Sequence, residues 1–169
     1  YYCRKQFKKA KGTEIGENIL LDLFSKNGFT IISPEQLTLD EQIAVVRNTK
    51  LLCGIIGTLG HNMLFAKPEQ HMILVNKTHN INVAQMDINK MKNLDMTYID
   101  SYLAEFPSLI GNGPFLITYS EMLNQYVEKH NWKKPAEDVI SETVLKRNLQ
   151  EYEEMYRSRN LKNLRLVYE

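Results

Sequence analysis

The stretch Gly54-Ile55-Ile56-Gly57-Thr58-Leu59-Gly60-His61-Asn62 gathers the residue types that hold anions and move protons. An apolar run feeds a glycine-bearing turn, and a hydroxyl, an imidazole and a carboxamide follow it closely. Gly57 lets a ligand or another backbone come near. The first N–H groups of a helix have no internal partner, so a helix opening here can hold a diphosphate. Thr58 either caps that helix or offers its hydroxyl to the ligand. His61 is on the same side of the first turn as Thr58, and Asn62 is near enough to reach the mouth. The plainer alternative is that Thr58 is only an N-cap and His61 a satisfied polar residue. Gly-x-x-Gly is too common to separate the two. Gly-Lys-Ser/Thr is absent, so this is no Walker loop. Gly-x-Gly-x-x-Gly is absent too, so a nicotinamide dinucleotide is not indicated.

Arg4 and Lys5 follow a short aromatic strand, residues 1–4. A guanidinium there suits a phosphate in bidentate fashion. Lys8, Lys9 and Lys11 read as a solvated basic loop. Glu17, near the start of the next helix, either faces the cleft or favours the helix dipole. His61, His71, His79 and His130 show no metal-ligand spacing. Cys53 sits inside an apolar run, the setting of a core thiol rather than a nucleophile.

The elements that must position these residues alternate. Residues 1–4 are strand-like, and 14–27 form a helix with Ile15, Ile19, Leu20, Leu23 and Phe24 on one stripe. Residues 29–33 are a β-branched strand closed by Pro34. Thr38 and Glu41 make a capping box that opens a helix running to about Thr49. The unbroken apolar runs 51–56 and 71–76 predict strands buried on both faces. Helices are expected over 61–66 and 83–92, and a strand over 96–102. The fold class is therefore α/β, a Rossmann-like parallel sheet with helices on both faces. Residues 104–115 read as loop, 120–130 as a short helix, 133–135 as a linker and 137–159 as a long helix. Residues 1–130 are the expected Rossmann-like domain. Residues 131–169 are the expected linker and C-terminal helix, packed on this domain or on a preceding one. In an open parallel sheet, ligands bind beyond the carboxyl ends of the strands. That rule selects Arg4, Lys5, residues 33–35, 57–62 and 76–80, and Asp100.

Composition narrows the function classes. The 169 residues carry 21 Lys plus Arg against 20 Asp plus Glu, a net charge of +1, which argues against a strongly electrostatic nucleic-acid binder. Two cysteines, Cys3 and Cys53, form no Cys-x-x-Cys pair, so neither a zinc ribbon nor a disulfide scaffold fits. No apolar run is long enough for a membrane span. The opening Tyr-Tyr-Cys-Arg, without Met, reads as the start of a piece of something longer.

The ordered series of motifs resembles the C-terminal half of family 61 glycosyltransferases, the DUF563 group that includes bacterial capsular-polysaccharide enzymes. The matching pieces are Tyr2-Cys3-Arg4-Lys5, Gly16-Glu17, Asn27-Gly28-Phe29, Pro34-Glu35-Gln36-Leu37, Glu41-Gln42-Ile43, Gly57-Thr58, His61-Asn62 and Phe65-Ala66. The likeness covers residues 1–102, and more loosely runs to His130. It implies a GT-B architecture, with this segment as the donor-binding domain. It implies sugar transfer with inversion from a nucleotide-sugar donor to a glycan acceptor, with no cofactor and no essential metal. Arg4, Lys5, Gly57, Thr58 and Asn62 are then the expected donor and phosphate contacts, and His61 and Glu17 the catalytic candidates. The family's frequent His-Gly turn reads Ile56-Gly57 here, so the imidazole falls one turn later, at His61. Partners other than nucleic acid, peripheral membrane association through preceding segments, a homo-oligomer, and a cytoplasmic location reaching the inner membrane face complete the expectation. The rival class is a non-catalytic Rossmann-like binding or assembly module, suggested by the long charged helix. A flavodoxin-like receiver lacks its acidic cluster here.

Overall fold

The computed structural model describes residues 1–3, 14–103 and 114–158. Two parallel sheets form. β1 (Glu14–Ile15) pairs with β5 (Phe115–Leu116), and β2 (Leu51–Ile55), β3 (His71–Asn76) and β4 (Asp95–Asp100) lie side by side in that order. The helices are α1 (Glu17–Lys26), α2 (Leu39–Asn48), α3 (Val83–Lys92), α4 (Glu121–Lys129) and α5 (Glu142–Ser158).

Tyr2 extends the larger sheet. It bridges Gly54 of β2 on one side and Ile32 on the other, both in parallel. Its N–H donates to the Cys53 carbonyl at 2.8 Å, and the Ile32 N–H donates to the Tyr1 carbonyl at 2.8 Å. The rows therefore run Ile32, Tyr2, β2, β3, β4. Chain order reverses direction between Tyr2 and β2, and that is the crevice where doubly wound sheets take their ligands.

Period-two alternation sends neighbouring side chains to opposite faces. Tyr1, Cys3, Cys53, Ile55, Ile73, Val75 and Ile99 pack on one face with Leu20, Leu23 and Phe24 of α1 and Leu123 and Val127 of α4. Tyr2, Leu52, Met72 and Leu74 pack on the other with Val46 of α2, Met63 and Ala66, flanked by Ile88 of α3. The sheet is thus covered on both faces, as its apolar runs require.

Several boundaries differ from the sequence reading. Residues 14 and 15 are not helical, because Glu14 and Ile15 pair in register with Phe115 and Leu116. α1 starts after Gly16, whose φ of +92° is a left-handed turn that glycine adopts without a Cβ penalty. The expected strands at 1–4 and 29–33 contribute only single bridges among the described residues, and the second is cut short by Pro34, which opens a 3₁₀ turn, Pro34–Gln36. The expected helix 61–66 is a 3₁₀ segment, Thr58–Phe65, that starts earlier. α5 begins at Glu142 rather than 137, because the preceding backbone is committed elsewhere. The Asp138 carbonyl accepts the Tyr119 N–H at 3.1 Å and the Thr118 hydroxyl at 3.3 Å. Along α5 the stripe Val144, Leu145, Asn148 and Leu149 is half-buried. The side chains of Tyr152 and Tyr156 lie outside the described residues.

Candidate functional site

Beyond β2 the chain passes Ile56 and Gly57 and enters the 3₁₀ segment. Gly57 is the capping residue, with φ +158° and ψ −169°, and no side chain caps this end. Of the two alternatives for Thr58, cap or ligand contact, the cap does not form: Thr58 is the first residue inside the segment, and it is exposed. The Gly60 N–H donates to the Gly57 carbonyl at 3.1 Å. The N–H groups of Thr58 and Leu59 come before that first internal bond, so the segment itself offers them no acceptor. A Cβ built on Gly57 would meet no atom of the described residues within 4 Å.

Tyr2, Glu14, Glu17, Ile55, Ile56, Gly57 and Leu59 line a pocket in the crevice between Tyr2 and β2. It holds about 10 Å³, barely the space of one water, so any larger ligand must lie across its mouth. Tyr2 is 1% exposed, and its phenol has no hydrogen-bond partner among the described residues. Burial pushes that phenol up to about 12, so it stays a neutral O–H donor at neutral pH. Glu17 is the first residue of α1 and is buried; its Oε1 accepts the Tyr1 phenol at 3.2 Å. Burial first, and then the Glu17 carboxylate, hold the Tyr1 phenol well above the ordinary tyrosine range. Glu14 accepts the Lys77 ammonium at 2.6 Å.

The structure thus brings Glu17 and Gly57 to one pocket, with Thr58 beside them. Asn62 turns away, its Nδ2 donating to Gln42 Oε1 at 3.0 Å and tying the 3₁₀ segment to α2. His61 is half-buried, does not line the pocket, and has a buried Nε2 with no hydrogen-bond partner among the described residues. Arg4 and Lys5, like Lys8, Lys9 and Lys11, lie outside the described residues. Sequence reasoning passed over Tyr2 and Glu14 as site residues. Lys77 fell within the stretch that the strand-end rule selects but was not singled out. A larger groove of about 390 Å³ lies at the start of α4, lined by residues such as Tyr119, Ser120, Asn124 and Lys134. It is two strands away from the crevice, beside the end of β4, where the Ser120 hydroxyl donates to the Asp100 carbonyl. Among the described residues, no cluster of His, Cys, Asp or Glu is placed to hold a metal ion. No described helix is long and apolar enough to cross a membrane.

Residues 2–73 match the family model for Glycosyltransferase 61. That stretch is similar to glycosyltransferase family 61, a likeness that points to a glycosyltransferase. It runs from Tyr2 into β3 and so includes Glu17 and the whole turn from Gly57 to Asn62. Lys77, β4 and the helices beyond lie outside the region matched to family 61. The chain matches no curated protein and no solved structure.

Proposed function

We propose that this chain is the donor-binding part of an inverting glycosyltransferase, the C-terminal domain of a GT-B pair. Its donor would be a nucleotide sugar, and its pathway the synthesis of capsular or other cell-surface polysaccharide in the cytoplasm. One observation carries the reading. The open end of the 3₁₀ segment at Gly57 and Thr58 stands at the crevice where the sheet order reverses. Backbone N–H groups at such an end favour an anion, and the nucleoside diphosphate is the anionic portion of the donor.

In the reaction, the acceptor hydroxyl oxygen bonds to the anomeric carbon from the face opposite the diphosphate. The carbon–oxygen bond to the diphosphate breaks, and its electron pair leaves with the diphosphate. Donors fixed at Thr58 and Leu59 are matched to that developing charge and need no reorganisation as it grows. Arg4, which follows Cys3 in the chain, adds a bidentate cation. The acceptor proton goes to a base, and the partner domain is its expected source. Glu17 and His61 are this chain's own candidates for moving a proton. The reading needs no resident metal.

Isothermal titration with UDP, GDP and CMP, on the wild-type chain and on Arg4→Ala, tests it. Binding of at least one nucleotide, weakened by Arg4→Ala, is the expected result. No binding of any of them removes the donor site. Turnover with a membrane extract as acceptor then separates a transferase from a binding module.

A further inference from the structure

Among the described residues, the pocket's lining holds two carboxylates, Glu14 and Glu17. A carboxylate beside an anion site, where no cation offsets it, opposes the ligand that the Thr58 end favours. Lys77 answers one of these charges. It leaves the sheet directly after β3, and its Nζ stands 2.6 Å from Glu14 Oε1 and 3.9 Å from the centroid of the Phe115 ring. Both side chains of the pair are close to buried, 13% exposed for Lys77 and 10% for Glu14. Phe115 is in turn the strand partner of Glu14, so one β1–β5 pairing positions both groups that hold the ammonium. A near-buried ion pair is a weak source of stability, because desolvation offsets most of its attraction. A mere structural tie at this place has no need of charge. Tyr2 also lines this pocket, and its buried phenol has no hydrogen-bond partner among the described residues.

We infer that Lys77 sets the charge of the donor pocket: by neutralising Glu14 it lets a nucleoside diphosphate sit across the mouth. Lys77 is a positioning residue on this account, and Glu14 is the charge it restrains. The inference rests on the donor-site reading above and adds to it the residue pair that makes the crevice tolerant of a diphosphate.

The test is titration of UDP and GDP into wild type, Lys77→Met, Glu14→Gln and the double variant, each first checked for cooperative thermal unfolding. Lys77→Met should weaken binding about tenfold or more, because it leaves Glu14 uncompensated. Glu14→Gln should tighten it, because it frees a cation beside the site. The double variant, with neither charge, should return to within a few-fold of wild type, and it serves as the folded control if Lys77→Met unfolds. Weakening of the same size in both single variants means that the pair is only structural, which overturns the inference. A double variant as weak as Lys77→Met makes Lys77 a direct ligand and also overturns it. Either result leaves the donor site standing if wild type binds. If wild type binds neither nucleotide, the donor-site reading itself fails.

Discussion

Gly16 and Ile117 stand so close that a Cβ on the glycine would come inside 3.0 Å of the Ile117 carbonyl oxygen. The contact is a product of the β1–β5 pairing, which the Ile117 N–H prolongs by donating to the Ile15 carbonyl at 2.8 Å. Gly16 must also hold φ +92° to turn the chain from β1 into α1. Gly16→Ala therefore meets a fixed backbone atom and a left-handed conformation together. It should destabilise the fold by about 3 kcal/mol. Urea denaturation checks this. A loss below about 1 kcal/mol would mean that the β1–β5 pair is not held as described.

Cys53 should behave as core and not as a reactive thiol. It is fully buried, and desolvation pushes its thiol up to about 12. Since the thiolate is the reactive form, almost none is present at pH 8, and the reagent cannot reach it. Iodoacetamide followed by mass spectrometry should leave Cys53 unmodified in the native protein and modify it in urea. Rapid native labelling would contradict the packing of β2.

The capping box of α2 has a pH signature. Glu41 accepts the Thr38 backbone N–H at 2.7 Å and the Thr38 hydroxyl at 2.9 Å, in that order of influence, and both hold its carboxyl below the ordinary value of 4.5. A carboxyl depressed in the folded state contributes stability above its unfolded value. That contribution is lost as pH falls from about 4.5 through the folded value. Titration followed by carbon-detected NMR should place Glu41 below an ordinary Glu in wild type, and higher in Thr38→Ala. An unmoved Glu41 in that variant would mean the box does not form in solution.

The parts of the fold that were legible in the sequence are those fixed by local pattern. The apolar runs gave β2 and β3, and the helix expected over 83–92 is α3. Thr38 and Glu41 announced α2. Where the reading missed at β1, the cause was a partner far away in the chain. Glu14 and Ile15 carry helix-compatible spacing, and only Phe115 and Leu116, a hundred positions on, draw them into a strand. The same holds for the site. Gly57 and Glu17 could be named from turn chemistry and resemblance. Tyr2 and Lys77 acquire meaning only once the sheet order sets Tyr2 beside β2 and folds Lys77 back onto Glu14.

Thr58→Pro separates the backbone donor from everything else at the site. Thr58 is the first residue of its helical segment, the position where proline's fixed φ fits and its missing N–H breaks no internal bond. The residue before a proline must be extended, and Gly57, at ψ −169°, already is. Thr58 is also exposed, so the ring has room. The variant should keep its stability to within about 1 kcal/mol. If the Thr58 N–H holds a phosphate oxygen, losing that charge-assisted hydrogen bond should cost about 1.5–3 kcal/mol of binding, which is roughly a tenfold or greater rise in Kd for UDP or GDP. Thr58→Ala keeps the N–H and loses only the hydroxyl, so it should bind much more tightly than Thr58→Pro. Equal affinities in the two variants would show that the backbone donor is not used, and the anion would have to be held by side chains alone.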